Sequence, residues 1–353
     1  MKVLLTGATG FIGGHVAWSL LQRGYEVVAL VRPASTMTWR HDSLEVRAGD
    51  VRDADSVRAA MVGCEGVIHA AARYSLWSRD PGLIYDVNVQ GTRNVLRAAV
   101  DAGVARIVHT STVGTVRFRK DTPATEADVA LPRGMTGHYK RSKYEAERLA
   151  LRMAATGAPV VVVNPTAPVG AADVKPTPTG AMLVDFLRGR LPAVLDTGLN
   201  FVHVRDVADG HVLALERGVV GERYVLGNAE GNLTLLDLLQ RMAKITGLPA
   251  PRWRIPHAVA RVLGSVDGLV EGSLLHREPR IPTEGVRMAH VKMWVDPSKA
   301  IRELGMPQSP LHDALTRAVA WYATHGYAPM PPSAVPKANR GQARQPQPRN
   351  RVR

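Results

Sequence analysis

Tyr139 and Lys143 are the side chains in this sequence best suited to moving a proton together. They lie four residues apart in a segment, residues 137–157, whose pattern predicts a helix, so both fall on one helix face. A free tyrosine hydroxyl has a pKa of about 10, which is too high for proton transfer at neutral pH. Because a nearby ammonium favours the phenolate, we expect Lys143 to lower the pKa of Tyr139. Tyr139 could then give a proton to a carbonyl oxygen or take one from an alcohol.

Thr112 carries a hydroxyl group that we expect to hold the same oxygen, with the neighbouring Ser111 as the alternative. Both residues follow the apolar run 106–110, which predicts a buried strand, and ligands collect at the carboxyl ends of such strands. His138, directly before Tyr139, is a further candidate to contact a substrate. A Tyr-x-x-x-Lys spacing also occurs by chance on amphipathic surface helices, which is the alternative interpretation.

The glycine-rich stretch near the N-terminus predicts a binding site for a dinucleotide. An apolar run at residues 2–5 is typical of a buried strand, and Gly7, Gly10 and Gly13 lead from it into a predicted helix. A tight turn, a backbone that approaches a pyrophosphate and close helix–strand packing each exclude a β-carbon. The free N–H groups at the helix start would face the phosphates, unless this is an ordinary glycine-rich turn. The other residues of this predicted site are Thr9, Phe11 and Ile12.

Arg32 favours NADP over NAD as the cofactor. It follows the predicted second strand, residues 26–31, where an NAD-binding unit has an acidic residue for the ribose hydroxyls. A guanidinium at this place can instead pair with a 2′-phosphate. We therefore expect NADP, with NAD as the alternative and a solvated loop arginine as the purely structural explanation.

Further candidate contacts follow other predicted strands. Asp50, after residues 44–48, is placed to accept a hydrogen bond from adenine, although an aspartate there is also a routine helix cap. Small residues after the strand at 67–69 would let the cofactor backbone come close. The full set of further cofactor candidates is Asp50, Val51, Ala70, Ala71, Ala72, Thr110, Asn164, Pro165 and Thr166. Tyr74 and Trp77, with Leu76, either line the substrate site or anchor a packed loop.

The order of elements predicts an α/β fold with a doubly wound parallel sheet. Strands and helices alternate over residues 1–165, as in a dinucleotide-binding domain, and then the alternation stops. Residues 166–330 predict a smaller mixed α/β C-terminal domain for the substrate. Residues 200–218 are expected to return to the first domain as a strand, 201–204, and a helix, 207–216. The basic tail, residues 331–353, predicts disorder.

Composition and charge are those of a globular protein of 353 residues with a net charge of +14. No apolar run is long enough for a transmembrane helix, and no motif indicates nucleic-acid binding. The single cysteine, Cys64, excludes an internal disulfide framework and fits the cytoplasm. The histidines lack metal-ligand spacing, so no metal is expected. The tail is expected either to be solvated or to touch anionic lipid weakly; a monomer or a homodimer is expected.

These motifs together resemble the extended short-chain dehydrogenase/reductase family over roughly residues 1–328. The matches are T-G-x-x-G-x-x-G at residues 6–13, Asp50-Val51, Tyr139/Lys143 and Asn164-Pro165-Thr166. Residues 109–116 with Arg32 resemble the dihydroflavonol-reductase-like branch, whose members use NADPH. Other stretches are similar to the bacterial hopanoid-associated sugar epimerase group, namely residues 74–77, 137–143, 173–180, 201–204 and 222–227.

The resemblance implies roles for individual residues. Tyr139 corresponds to the acid/base, Lys143 to the residue that binds the nicotinamide ribose and tunes Tyr139, and Thr112 to the usual serine. That last departure keeps the hydroxyl but adds a methyl group. Asn88 resembles the family's supporting asparagine near the active site, with an ordinary satisfied helix residue as the alternative.

Three activities remain open from the sequence. The first is NADPH-dependent reduction of a carbonyl on a small-molecule or lipid-linked substrate. The second is sugar epimerisation or dehydration through a transient keto intermediate, and the third is a regulator that senses NADP without chemistry. Arg32 favours reduction, because an epimerase more often retains NAD. The intact Tyr139/Lys143 pair argues against the regulator.

Overall fold

Strands and helices alternate along most of the chain. The computed structural model describes residues 1–37, 39–75, 78–120, 122–255 and 291–334. The strands are β1 (Lys2–Thr6), β2 (Glu26–Val31), β3 (Leu44–Ala48), β4 (Gly66–His69), β5 (Arg106–Thr110), β6 (Val160–Pro165), β7 (Ala167–Val169), β8 (Ala193–Leu195), β9 (Gly198–His203), β10 (Arg223–Leu226), β11 (Asn232–Thr234) and β12 (Trp253–Ile255). The helices are α1 (Phe11–Gln22), α2 (Ala54–Met61), α3 (Gly82–Tyr85), α4 (Gly91–Asp101), α5 (His138–Ala155), α6 (Pro178–Leu187), α7 (Val204–Arg217), α8 (Leu235–Thr246) and α9 (Leu311–Thr324).

A seven-stranded parallel sheet forms the larger lobe. Its strand order is β10-β6-β5-β4-β1-β2-β3, and each neighbouring pair runs parallel. The order reverses between β1 and β4, and ligands of doubly wound sheets bind at such a reversal. The predicted α/β fold with a doubly wound parallel sheet is therefore confirmed as Rossmann-type, and its binding edge lies where β1 and β4 end.

Apolar cores cover both faces of this sheet. Along β6, Val161 and Val163 pack into one core with Leu20 of α1, while Val160 and Val162 pack into the other. Successive strand residues point to opposite faces, so a strand covered on both sides needs a continuous apolar run. Helices α1 and α7 contribute to the first core, and α2, α4 and α5 to the second.

The smaller lobe has its own apolar core. Strands β7, β9 and β11 form a three-stranded sheet, and β8 pairs with β12. Phe201 of β9 packs there with Leu183 of α6, Leu238 of α8 and Tyr322 of α9. In the described part of the chain, no helix has the length and apolarity to cross a membrane.

The prediction that residues 201–204 form a strand returning to the main sheet is wrong. Strand β9 pairs with β7 and β11, and β10 occupies the edge position beside β6 instead. The helix that follows does return, because α7 packs its buried face into the core beside α1. It begins at Val204, three residues earlier than predicted, where the His203 side chain accepts a hydrogen bond from the Arg205 amide.

Two other segments differ from their predictions. The helix predicted after residue 82 contains a π-helical turn, Asp86–Gln90, between α3 and α4. The predicted disorder from residue 331 is wrong for its first residues, because Pro332–Ala334 form a 3₁₀ turn. There the Ser333 hydroxyl donates to the Ile245 carbonyl at 2.7 Å. Residues 335–353 lie outside the described residues, as do Leu76 and Trp77.

Candidate active site

The turn between β1 and α1 forms a tight glycine cradle at the sheet's binding edge. Gly7 has φ +79°, and a Cβ there would lie 2.7 Å from the Ala71 amide nitrogen. A Cβ on Gly13 would lie 2.0 Å from the Gly7 carbonyl oxygen. Gly10 is the N-cap of α1, and no described side chain caps that helix start. The cradle therefore fits a dinucleotide: its backbone comes close to Ala70 and Ala71, and the α1 amides are available to phosphate oxygens.

Gly13→Ala is expected to weaken dinucleotide binding strongly. The added Cβ collides with backbone, not with a movable side chain, so β1 and α1 must separate. We expect the dissociation constant for NADPH to rise about tenfold or more, with a loss of about 2 kcal/mol in the free energy of unfolding. Fluorescence titration and thermal melts measure both. Gly14→Ala is the matched control, because its Cβ would lie 3.4 Å from Ala8; wild-type NADPH affinity in Gly13→Ala would contradict the cradle.

Arg32 and Asp50 lie near each other at the ends of two adjacent strands. Arg32 is exposed after β2, and its charge contributes to a lowered pKa of Asp50. The largest cause of that lowering is Arg52, whose guanidinium donates to both Asp50 carboxylate oxygens at 3.1 and 2.8 Å. Asp50 does not cap α2, because Asp53 does so by accepting from the Asp55 amide. An adenine contact by Asp50 stays a prediction.

Tyr139 and Lys143 lie on one face of α5, as the spacing predicted. Lys143 is 2% exposed, and its ammonium donates to the Thr110 carbonyl at 2.7 Å. Tyr139 is half-buried, and its ring lies against the ring of Tyr74 with centroids 4.4 Å apart. The helix thus carries a phenol and an ammonium to the carboxyl end of β5.

The prediction that Lys143 lowers the pKa of Tyr139 is wrong for the chain by itself. Burial raises the pKa of Tyr139. Burial also lowers the pKa of Lys143 to about 8, an effect that the carboxylate of Glu147 opposes. The Tyr139 hydroxyl therefore keeps its proton at neutral pH, and Lys143 carries its charge there but loses it above about pH 8.

Thr112 presents a hydroxyl suited to donate a hydrogen bond. It is half-buried and caps a 3₁₀ turn, Val113–Thr115, with its Oγ1 accepting from the Gly114 amide at 3.2 Å. Because one lone pair is used in this way, the hydroxyl proton stays available for a bound oxygen. Ser111 is 5% exposed, and within the described residues its Oγ has no hydrogen-bond partner. Thr112 is the more accessible of the two hydroxyls.

Asn88 ties the segment after β4 to helix α5. Its Oδ1 accepts from the Arg73 amide at 2.7 Å, and its Nδ2 donates to the Arg73 carbonyl at 3.1 Å and to Ser142 Oγ at 2.9 Å. Ser142 Oγ in turn donates to the Tyr139 carbonyl at 2.7 Å. The side chain therefore bonds to two other segments, which supports a positioning role over that of an ordinary helix residue.

A buried hydrogen-bond chain connects the glycine cradle to Asn88. The Ala71 amide donates to Thr6 Oγ1 at 3.1 Å, which lies 2.7 Å from His69 Nδ1. His69 Nε2 lies 3.0 Å from Thr92 Oγ1, which donates to the Asn88 carbonyl at 2.6 Å. Burial lowers the pKa of His69 to about 3, so the neutral ring can donate from Nε2 and accept at Nδ1.

The hydrogen-bond chain through His69 was not predicted, because His69 was considered only as a metal ligand. The available signal was a histidine that ends the apolar strand 66–69 beside the cradle. Such a position requires the ring nitrogens to find partners.

Other predicted contact residues have protein partners of their own. Thr110 Oγ1 lies 3.0 Å from His211 Nε2, and Thr166 Oγ1 donates to Asn200 Oδ1 at 3.1 Å. Asn164 is buried, and its Nδ2 donates to the Thr112 carbonyl at 3.0 Å. Cofactor contacts by these residues stay predictions. The remaining candidates at this edge are Thr9, Phe11, Ile12, Val51, Ala72, Pro165 and the exposed His138.

Groups suited to proton transfer lie at the binding edge of the sheet. The structure brings the cradle, Thr112, Tyr139 and Lys143 to the carboxyl ends of β1, β4 and β5. A phenol that keeps its proton and a hydroxyl donor can both address one carbonyl oxygen.

Comparisons with known proteins agree with this geometry. Residues 3–227 match the NAD dependent epimerase/dehydratase family. The chain is 43% identical over 333 residues to a Synechocystis sp. protein named dihydroflavonol 4-reductase, covering 92% of this chain and 95% of that one. It is 34% identical to sterol demethylase protein B of Methylococcus capsulatus, covering 92% and 99%. PA4631, a nucleoside-diphosphate-sugar epimerase from Pseudomonas aeruginosa, superposes with a TM-score of 0.77 at 28% identity, covering 93% and 99%.

The glycine cradle, the strand order and these matches over most of the chain agree with one another. The chain belongs to the NAD dependent epimerase/dehydratase family of extended short-chain dehydrogenases/reductases, and is an NAD(P)-dependent oxidoreductase or epimerase.

Proposed function

We propose that this protein uses NADPH to reduce a carbonyl group on a small-molecule or lipid-linked substrate. The observation that carries the proposal is the arrangement of Tyr139, Lys143 and Thr112 beside the glycine cradle. The Tyr139 phenol keeps its proton at neutral pH, as the proton donor of a reduction must, although burial raises its pKa in the free protein. The similarity to proteins named dihydroflavonol 4-reductase and sterol demethylase protein B also supports an oxidoreductase of organic carbonyls or alcohols.

Each residue has a defined task in the proposed reaction. Thr112 Oγ1 donates to the carbonyl oxygen while accepting from the Gly114 amide. Tyr139 gives its proton to that oxygen as negative charge develops there. Lys143, held by the Thr110 carbonyl, stabilises the phenolate that remains and contacts the nicotinamide ribose. When bound in the cradle, the nicotinamide cofactor supplies the hydride to the carbonyl carbon.

We also propose which parts of the chain bind which partner. Residues 1–165, with α7, hold the dinucleotide, and residues 166–330 supply most of the substrate pocket, while 331–353 form a basic tail. Tyr74 would line the substrate pocket, because the residue is 47% exposed and its ring packs on Tyr139. An aromatic wall beside the reacting oxygen favours a substrate with a flat or apolar group near its carbonyl.

Arg32→Ala is expected to weaken selectivity for NADPH. Loss of a charge-assisted pair with the 2′-phosphate raises the KM for NADPH about 10- to 100-fold, while the KM for NADH changes little. Steady-state kinetics with both cofactors measure the ratio. Arg40→Ala is a control on the same loop; equal effects on both cofactors in Arg32→Ala would contradict a 2′-phosphate contact.

The proposed function is tested by measuring NADPH oxidation with a panel of carbonyl compounds. The panel contains a dihydroflavonol, an aromatic aldehyde and a steroid ketone, and mass spectrometry identifies the product. We expect net NADPH consumption and formation of the alcohol with at least one compound. Mass spectrometry of ligands released from the purified protein establishes which cofactor it carries.

Sugar epimerisation is the second candidate function. The similarity to the Pseudomonas aeruginosa epimerase favours it, and Tyr139 would then remove a proton from a carbinol before returning it. Tightly bound NAD, no net NADPH consumption and conversion of a nucleoside-diphosphate sugar to its epimer would establish this reaction and overturn reduction.

A further inference from the structure

A buried ion pair joins α5, the helix that carries Tyr139 and Lys143, to strand β10. Glu147 of α5 and Arg223 of β10 meet at 2.9 Å, with side chains 3% and 10% exposed. Glu147 is four residues beyond Lys143 and therefore lies on the same helix face. A buried carboxylate is costly unless it is paired and fully hydrogen-bonded. Its presence here needs a reason beyond packing.

Glu147 connects the helix to the turn that carries Thr112. Its Oε2 accepts from Thr115 Oγ1 at 2.7 Å and from Asn164 Nδ2 at 2.7 Å. Asn164 Nδ2 also donates to the carbonyl of Thr112 at 3.0 Å. One carboxylate thus fixes both the strand end and the turn that aim the Thr112 hydroxyl.

Glu147 also provides negative charge near Lys143. Among the residues that the structure describes, the groups that interact electrostatically with Lys143 are His69 of β4, His109 of β5 and Glu147 of α5. Burial lowers the pKa of both histidines, so they are neutral near pH 7. Arg223 pairs with Glu147 on the side of β10. The carboxylate is therefore what opposes the burial of the ammonium.

We infer that Glu147, held by Arg223, is a positioning residue that aligns Thr112 with Tyr139 and keeps Lys143 charged. The inference rests on the proposed function for its effect on catalysis. Its effect on Lys143 is a property of the free protein. Turnover tests the effect on catalysis, and titration of the free protein tests the effect on Lys143. The inference and the proposed function can therefore be tested independently.

Glu147→Gln is the primary test, because it keeps the shape of the side chain and removes its charge. We expect the pKa of Lys143 to fall below its value of about 8, because the carboxylate that opposes the effect of burial is gone. NMR of protein containing ¹³C-labelled lysine measures it, and the Lys143 resonance is assigned by its loss in Lys143→Arg. In turnover of the fastest carbonyl compound of the panel, we expect kcat to fall about tenfold or more and its alkaline limb to move to lower pH. The KM for NADPH should change little.

Glu145→Gln is the matched control, since Glu145 lies on α5 but is exposed. In Glu147→Gln the buried Arg223 guanidinium loses its carboxylate partner, which could prevent folding. The double variant Glu147→Gln/Arg223→Gln removes that charge as well, so the same measurements can be made on it if the single variant does not fold. An unchanged Lys143 pKa in a folded variant would overturn the inference, whatever the substrate. Full turnover in Tyr139→Phe, together with the expected Lys143 shift, would instead overturn the proposed function.

Discussion

Tyr139→Phe is expected to reduce kcat by about 10²- to 10⁴-fold while NADPH still binds. The substitution removes only the hydroxyl that gives the proton, so the ring should keep its contact with Tyr74 at 4.4 Å. Burial raises the pKa of Tyr139, so wild-type activity in the direction of reduction should persist through neutral pH. Single-turnover measurements at several pH values, combined with NADPH titration, separate loss of chemistry from loss of binding.

Tyr144→Phe is the control for this prediction, because Tyr144 lies on the same helix and is outside the proposed site. It should retain wild-type kcat and KM. A Tyr139→Phe variant with more than about a tenth of the wild-type kcat would show that another group gives the proton.

Local patterns explain why much of the fold could be predicted. The apolar run of β6 is continuous because both of its faces are covered, and this property can be read from residues 160–163 alone. Gly13 is required by a contact with Gly7, which is near in the sequence. The placement of Tyr139 and Lys143 on one face follows from helix periodicity.

Long-range pairing explains what could not be predicted. Strand β9 has the apolar pattern of a central strand, yet its partners are β7 and β11, which are too short to stand out in the sequence. The sign of the Tyr139 pKa shift depends on packing around the ring, including the distant Tyr74. Glu147 has the right spacing from Lys143, but its role depends on Arg223, far along the chain.

Internal hydrogen bonds also divide the predicted site into two kinds of residue. Asn164 and Asn88 both match residues of the family, but their side chains bond to other protein segments. Asn164 donates to the Thr112 carbonyl, and Asn88 is linked through Ser142 to the Tyr139 carbonyl, so the two asparagines fix the positions of Thr112 and Tyr139. Thr112 and Tyr139 are the groups whose hydroxyls remain suited to address a substrate. Motif matches alone could not distinguish positioning residues from residues that contact the substrate, because both kinds lie at the ends of strands or helices.

Thr112→Val is expected to lower kcat by about 10²- to 10³-fold, the range seen when one donor to a developing oxyanion is removed. Valine keeps the shape of threonine and loses the hydroxyl that would hold the carbonyl oxygen. Thr112→Ser should restore most of the activity, because serine can still accept from the Gly114 amide and donate its proton.

Ser111→Ala separates the two neighbouring hydroxyls. Ser111 Oγ is buried, so we expect kcat of Ser111→Ala to stay within about threefold of wild type. If Ser111→Ala loses activity and Thr112→Val keeps it, then Ser111 is the donor and the oxygen lies one residue nearer to β5. In that arrangement Asn164, which bonds to Glu147 and to the Thr112 carbonyl, would orient the wrong hydroxyl. This one pair of variants therefore tests both the donor and the hydrogen-bond network behind it.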